Sequence, residues 1–169
     1  MRSLCRFVAS LLALLLLAAN SFRYSIIVLH PSHHVYLDGC AISDASAIET
    51  PLGVLNVDVA TRRELLNGSG GFTLMECSED EEEHSGEMQY PFIKCVLDMS
   101  GKTDVNVLPI MIGSIRPTQE RDFAQHLHKL LEDEGTFFVV SSDFCHWGRR
   151  FDFDPYDRCD GWATSWSDE

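Results

Sequence analysis

The chain has 169 residues, 45% hydrophobic and 23% charged, which suffices for one domain with a substantial core and is too apolar for a disordered tail. Its formal net charge of -13 repels phosphate backbones, so nucleic acid is excluded as an expected partner. The six cysteines (Cys5, Cys40, Cys77, Cys95, Cys145 and Cys159) contain no C-x-x-C pair and no regular spacing; reduced thiols are expected rather than a zinc ribbon or a disulfide framework.

Arg2 and Arg6 lead into a leucine-rich apolar run over residues 7–19. A basic start followed by a short apolar stretch is the pattern of a secretory signal, and the run is short for a membrane span, which needs about 20 apolar residues. Three readings stay open: a signal peptide or anchor, a hydrophobic helix over the core, or sequence foreign to the domain. Residues 1–21 are therefore set apart from the domain. A membrane is an expected partner only if this segment is a true anchor.

The first expected strand is the continuous apolar run Ser25-Ile26-Ile27-Val28-Leu29. An unbroken run, rather than an alternating one, suits a strand covered on both faces. Residues 58–66 form a weaker helix candidate, stopped by Asn67-Gly68-Ser69-Gly70-Gly71. That loop lacks the Lys and Ser/Thr of a phosphate-binding loop. Glu79 to Glu82 read as a solvated acidic face, and a helix kinked at Pro91 is expected from near His84 towards Leu97. A second strand spans residues 105–112, with Pro109 placing it at an edge or a kink because proline cannot donate to a ladder.

The best helix signal covers residues 118–131. Thr118 is its expected N-cap, Glu120 sits in the first turn, and Phe123, Leu127, Leu130 and Leu131 make one apolar stripe that ends before Gly135. A third continuous strand follows at residues 137–141. Strand, amphipathic helix and strand is the grammar of an α/β fold, with no internal repeat and no linker dividing the chain.

In open α/β sheets, ligands gather beyond the carboxyl ends of the strands. The first strand runs into His30-Pro31-Ser32-His33-His34, and the third into Ser141-Ser142-Asp143-Phe144-Cys145-His146. Two such turns at neighbouring strand ends would face one crevice, where imidazoles ligate metal or carry protons. His33 is the strongest ligand candidate, while Ser32 or His34 serve equally well to stabilise the turn. Asp143 and His146 suit a general acid/base pair, the carboxylate fixing the imidazole tautomer; a purely structural Asp–His bond is the alternative. Cys145, between them, is expected to be buried and inert. His84 and Glu87, spaced i and i+3, would share a helix face near a metal site. The chain contains no G-x-S-x-G, no H-E-x-x-H and no dinucleotide fingerprint.

The segments Pro31-Ser32-His33-His34-Val35, Glu49-Thr50-Pro51-Leu52-Gly53, D-E-E-E-H-S-G-E-M over residues 80–88 and V-V-S-S-D-F-C-H-W-G over residues 139–148 carry a resemblance, continued by Arg150-Phe151 and Tyr156-Asp157. In order and spacing they resemble the Memo family, over about residues 25–157. The resemblance implies a three-layer α/β/α fold with a mostly parallel central sheet, similar to class III, LigB-type extradiol dioxygenases, and incomplete relative to the family. On that basis residues 22–157 form a partial Memo-like domain and residues 158–169 an unmatched tail.

Those dioxygenases hold non-haem iron with two histidines and a carboxylate, and Memo proteins are similar with two histidines and a cysteine. By resemblance His33 matches the second metal histidine, His146 and Asp143 match acid/base pocket positions, and His34, His84, Glu87 and Cys145 line the pocket. Iron or copper is the implied cofactor. A phosphotyrosine peptide or signalling protein in cell motility is the implied partner, and the family is cytoplasmic. His30 stands where glycine is usual and Gly86 where isoleucine is usual. Neither the family's upstream P-H-A-G-Y histidine nor its downstream cysteine is matched here, so metal binding is expected to be weak or absent: a stable site usually needs at least about three protein ligands. The functional expectations are thus a metal or redox pocket, a non-catalytic adaptor, or an inactive truncated product, and no enzymatic activity follows from the residues alone.

Overall fold

The computed structural model describes residues 24–153. The leucine-rich segment 1–21 and the tail 158–169 lie outside the described residues. The elements run β1 (Tyr24–Pro31), β2 (Cys40–Ser43), β3 (Ala47–Thr50), β4 (Gly53–Asn56), α1 (Val59–Asn67), β5 (Thr73–Met75), α2 (Cys77–Glu82), α3 (His84–Glu87), α4 (Tyr90–Ser100), β6 (Val105–Ile112), α5 (Pro117–Leu131) and β7 (Thr136–Val140). A 3-10 turn at Arg149–Phe151 closes the described part.

The main sheet has the order β5-β2-β6-β1-β7, and β3 and β4 form a separate hairpin. β1 lies parallel to both β6 and β7, with Val28 opposite Pro109 on one side and Val139 on the other. Within the five-stranded sheet only the β2–β6 pair is antiparallel. The sheet is therefore mixed and mostly parallel, as expected, although β2 to β5 left no signal strong enough to be anticipated.

Alternation along the central strands explains the unbroken apolar runs. Tyr24, Ile26 and Val28 of β1, with Val105 and Val107 of β6, pack against Tyr90, Ile93 and Leu97 of α4 and Leu55 of the hairpin. Ile27, Leu108 and Ile110 point the other way, towards Leu65 of α1, Phe72 and Phe123 of α5. Each strand thus has two apolar faces, and each face has its own layer. Phe72 and Phe123 meet edge to face with centroids 4.9 Å apart.

Pro109 is corrected: its strand is the central one of the sheet, not an edge. The carbonyl of Val107 accepts from Asp58 N on the β2 flank, and backbone groups two residues apart share a flank, so Pro109 also faces that side. There the β2 ladder runs only from Cys40 to Ile42, opposite Ile112 to Ile110. The missing donor falls just beyond the last pair, where no ladder bond is asked of it.

The helix boundaries also shift. α5 starts at Pro117, and Arg116 rather than Thr118 is its N-cap; Oε1 of Gln119 accepts from Arg116 N at 3.0 Å. The α5 stripe ends at Leu131, and Gly135 belongs to the following turn, where its carbonyl accepts from Ser25 N. The long helix expected from His84 is two pieces, α3 and α4, with Pro91 in the first turn of α4, where its missing N–H costs nothing. The weaker candidate at residues 58–66 is α1, and Asp58 is its N-cap rather than its first residue, accepting from Thr61 N at 3.1 Å.

Candidate functional site

β1 and β7 are direct parallel neighbours, so the turns that leave their carboxyl ends emerge side by side. Ser141 N donates to Leu29 O at 2.8 Å, extending the pairing into the second turn, and Gln89 Nε2 donates to Ser141 Oγ at 3.3 Å from below. On the other side Ser32 N donates to Ile112 O at 3.0 Å, and the Ser32 hydroxyl donates to Val35 O, folding the Pro-Ser-His-His turn back on itself. Both histidine-bearing turns are held by the sheet rather than by loop chemistry alone.

His33 sits between two carboxylates. Its backbone N donates to Glu83 Oε2 at 2.6 Å, and its ring Nδ1 lies 3.0 Å from Glu83 Oε1. Its other ring nitrogen, Nε2, lies 3.7 Å from Asp143 Oδ2. The same Asp143 oxygen is 3.2 Å from His146 Nε2. Asp143 and His146 are exposed, and the His146 ring stacks on Phe151 with centroids 4.9 Å apart. The expected Asp143–His146 pair is thus formed, and it reaches His33 across the two strand ends.

Glu83 is the one buried carboxylate of the site, 2% exposed at the N-cap of α3. Burial alone would raise its pKa. The bonds from the His33 backbone and ring and from Ser85 outweigh that and hold it well below the usual carboxylate range. Ser85 N donates to Glu83 Oε1 at 3.0 Å. His84 Nδ1 approaches the same oxygen at 3.4 Å, and the His84 ring packs 4.8 Å from His33 and 5.4 Å from His34. In the sequence Glu83 ends an acidic run and adjoins the His84–Glu87 pair, with no sign that it is the buried member. The signal that could have distinguished it was its place directly before His84-Ser85, a helix-start position from which a carboxylate caps.

The other expected pocket residues divide. His34 and His84 stand beside His33. Glu87 instead lines a separate recess of about 410 Å³ with Glu49, Asp80, Glu81, Cys77 and Tyr90. Asp80 is also an exception to the solvated acidic face, since the Ser43 hydroxyl donates to it. Cys145 is corrected: it is exposed, not buried, because the segment after β7 runs over the surface with Phe144 99% exposed. Cys40, Cys77 and Cys145 are free thiols.

His33, Glu83 and His84 bring ligand atoms within 4.8 Å of one another. In that trio Glu83 Oε1 already accepts from Ser85 N and faces both imidazoles, so a cation there would have to displace existing hydrogen bonds. The nitrogen left open to a ligand is His33 Nε2, on the side of Asp143. A borderline metal fits an imidazole nitrogen beside a carboxylate, and here the Asp143 carboxylate lies between His33 Nε2 and His146 Nε2.

The profile of a family described as "Memo-like protein" matches residues 10–165. The chain belongs to the Memo family. It is 43% identical over 133 residues to the protein memo-1 homolog of Caenorhabditis elegans, a stretch covering 79% of this chain and 37% of that protein. It is 40% identical over 141 residues to protein MEMO1 of Homo sapiens, covering 83% and 47% respectively. A Schizosaccharomyces pombe MEMO1 family protein is 42% identical over 132 residues, 78% of this chain and 43% of its own length. This Memo-family chain therefore spans less than half the length of the curated relatives it matches. No helix among its described residues is long and apolar enough to cross a membrane.

Proposed function

We propose that this chain carries part of a Memo-type metal and redox pocket, with a family-level role in cell motility signalling. The observation that supports it is the approach of His33 Nε2 to Asp143 Oδ2 at 3.7 Å across two neighbouring strand ends. In this reading His33 supplies one imidazole ligand, and the Asp143–His146 pair takes up or delivers a proton beside it. Iron or copper held there would supply redox chemistry or Lewis acidity. His84 packs against His33, His34 packs against His84, and the exposed thiol of Cys145 stands on the same loop as the acid/base pair. With a single imidazole pointing into the open side, the chain alone holds metal weakly. The test is iron and copper content after anaerobic loading of the wild-type chain and of His33→Ala. Excess metal in the wild type supports the reading; equal and negligible metal in both overturns it.

A second reading is favoured by the surface beside this site. Phe144, Trp147, Phe151 and Phe153 are exposed there, next to Arg149 and Arg150, and Arg150 lies 5.7 Å over the Phe151 ring. Aromatic side chains interleaved with guanidinium groups suit a phosphotyrosine peptide in a non-catalytic adaptor. Retention of phosphotyrosine peptides that is lost on replacing Arg149 and Arg150 by alanine supports this reading, and no retention removes it.

A further inference from the structure

We infer that Glu83 is the positioning residue of this pocket: it locks the His33 imidazole in the Nδ1–H tautomer and so leaves a lone pair on Nε2, facing Asp143. The inference rests on the reading of His33 as a ligand, but its geometry is independent of any metal.

The argument is one of donors and acceptors. Glu83 Oε2 accepts from the His33 backbone N–H at 2.6 Å, and Oε1 accepts from Ser85 N–H at 3.0 Å. A carboxylate receiving backbone donors at both oxygens is ionised and has no proton of its own to give. His33 Nδ1 lies 3.0 Å from Oε1, so the proton between them must belong to the ring. In the neutral imidazole the second nitrogen is then bare. Bare Nε2 is also the only ring nitrogen of His33 on the Asp143 side. The backbone bond matters as much as the side-chain bond: one carboxylate grips both ends of His33, fixing where the ring starts and which way it turns. Glu83 itself is 2% exposed, so its carboxylate oxygens are largely shielded from water. A buried outer carboxylate that orients a ligand histidine typically changes metal affinity by about 10–100-fold.

Glu83→Gln keeps the shape and reverses the chemistry. An amide has only one acceptor oxygen, and its NH2 turned towards Nδ1 would donate to the ring and favour the Nε2–H tautomer. The experiment is a long-range proton–nitrogen correlation spectrum of the full chain, with His33 assigned by the loss of its signals in His33→Ala, alongside Zn(II) titration. The wild type is expected to show His33 as Nδ1–H. Glu83→Gln is expected to show Nε2–H or a tautomer mixture, with Zn(II) affinity about 10–100-fold weaker. A wild-type ring in the Nε2–H form overturns the inference, and that measurement needs no variant to fold. An unchanged tautomer in a folded Glu83→Gln overturns it as well. If the tautomer switches while neither protein binds metal, the positioning role stands and the ligand reading of His33 fails.

Discussion

The hydroxyl of Ser85 stands 3.1 Å from Nδ1 of the buried His30 and donates its own proton to the carbonyl of Pro31 at 2.8 Å. With the hydroxyl proton committed, Ser85 Oγ accepts from His30, which is therefore an Nδ1–H tautomer. Its Nε2 is buried and has no hydrogen-bond partner among the described residues. Nothing there receives a second proton, and burial lowers the His30 pKa despite the nearby charges of Asp80 and Glu83.

That lowering fixes the sign of a pH effect. Above the ordinary value of 6.5 both folded and unfolded chains carry neutral His30, and its contribution to stability is complete. Below 6.5 the unfolded chain takes up the proton first, so stability falls with pH until the folded pKa is reached. Glu83 acts in a lower window, because its depressed pKa gives stability that is present above the unfolded value of 4.5 and lost as pH falls below it. Thermal melts from pH 8 to 3 should therefore decline in two stages. His30→Leu should flatten the upper stage relative to wild type and leave the lower one; parallel slopes in both proteins would contradict this.

Removing the Glu83 carboxylate strands backbone donors. In Glu83→Ala the N–H groups of the exposed His33 and the buried Ser85 both lose their acceptor. A buried orphaned donor costs about 1–3 kcal/mol and an exposed one is taken up by water, so a loss of about 1–3 kcal/mol in urea unfolding is expected. A change under about 0.5 kcal/mol would mean that water replaces the carboxylate without penalty.

Gly113 has no room for a side chain. A Cβ there would lie 2.2 Å from Leu37 O and 2.6 Å from Leu37 Cβ, because Gly113 N bonds to Gly39 O and Ser114 N to Leu37 O. The obstacle is backbone, which cannot swing aside as a long side chain would. Gly113→Ala should destabilise the fold by about 1–3 kcal/mol or more, measured by denaturant midpoint, and a neutral result would show that the connection to β2 shifts freely.

The thiols should separate by rate. Burial pushes Cys40 up to about 12, so it stays protonated and shielded at neutral pH, whereas Cys77 and Cys145 are exposed. Mass spectrometry after brief alkylation should find Cys77 and Cys145 modified and Cys40 modified only after denaturation. Early labelling of Cys40 would indicate local opening of β2.

Much of this chain was readable from its residues in order. The unbroken run at β1 announced a strand covered on both faces, because a strand between two layers is apolar at every position. The run at β7 read the same way, but β7 is the half-buried edge strand, with Val140 66% exposed. The stripe of Phe123, Leu127, Leu130 and Leu131 announced α5, and the strand-to-turn motifs at His33 and Asp143–His146 named the family. These are local signals: each is written within one element and its exit turn, and hydrophobic periodicity records them directly.

What the sequence left undecided depends on partners far along the chain. Pro109 tolerates the sheet centre because the β2–β6 ladder ends at the Ile42–Ile110 pair, one short of it. Cys145 is exposed because no described element covers the segment after β7. Glu83 leaves its acidic run and becomes the buried clamp on His33 only because α3 is delivered to the end of β1, a contact 50 residues apart in sequence. A charge run reads as solvated until another element removes its water, and removal of water is a property of the assembled fold, not of the run. The order of residues therefore determined the layers and the family, while tertiary packing decided which carboxylate sits behind His33 and which faces solvent in front of it.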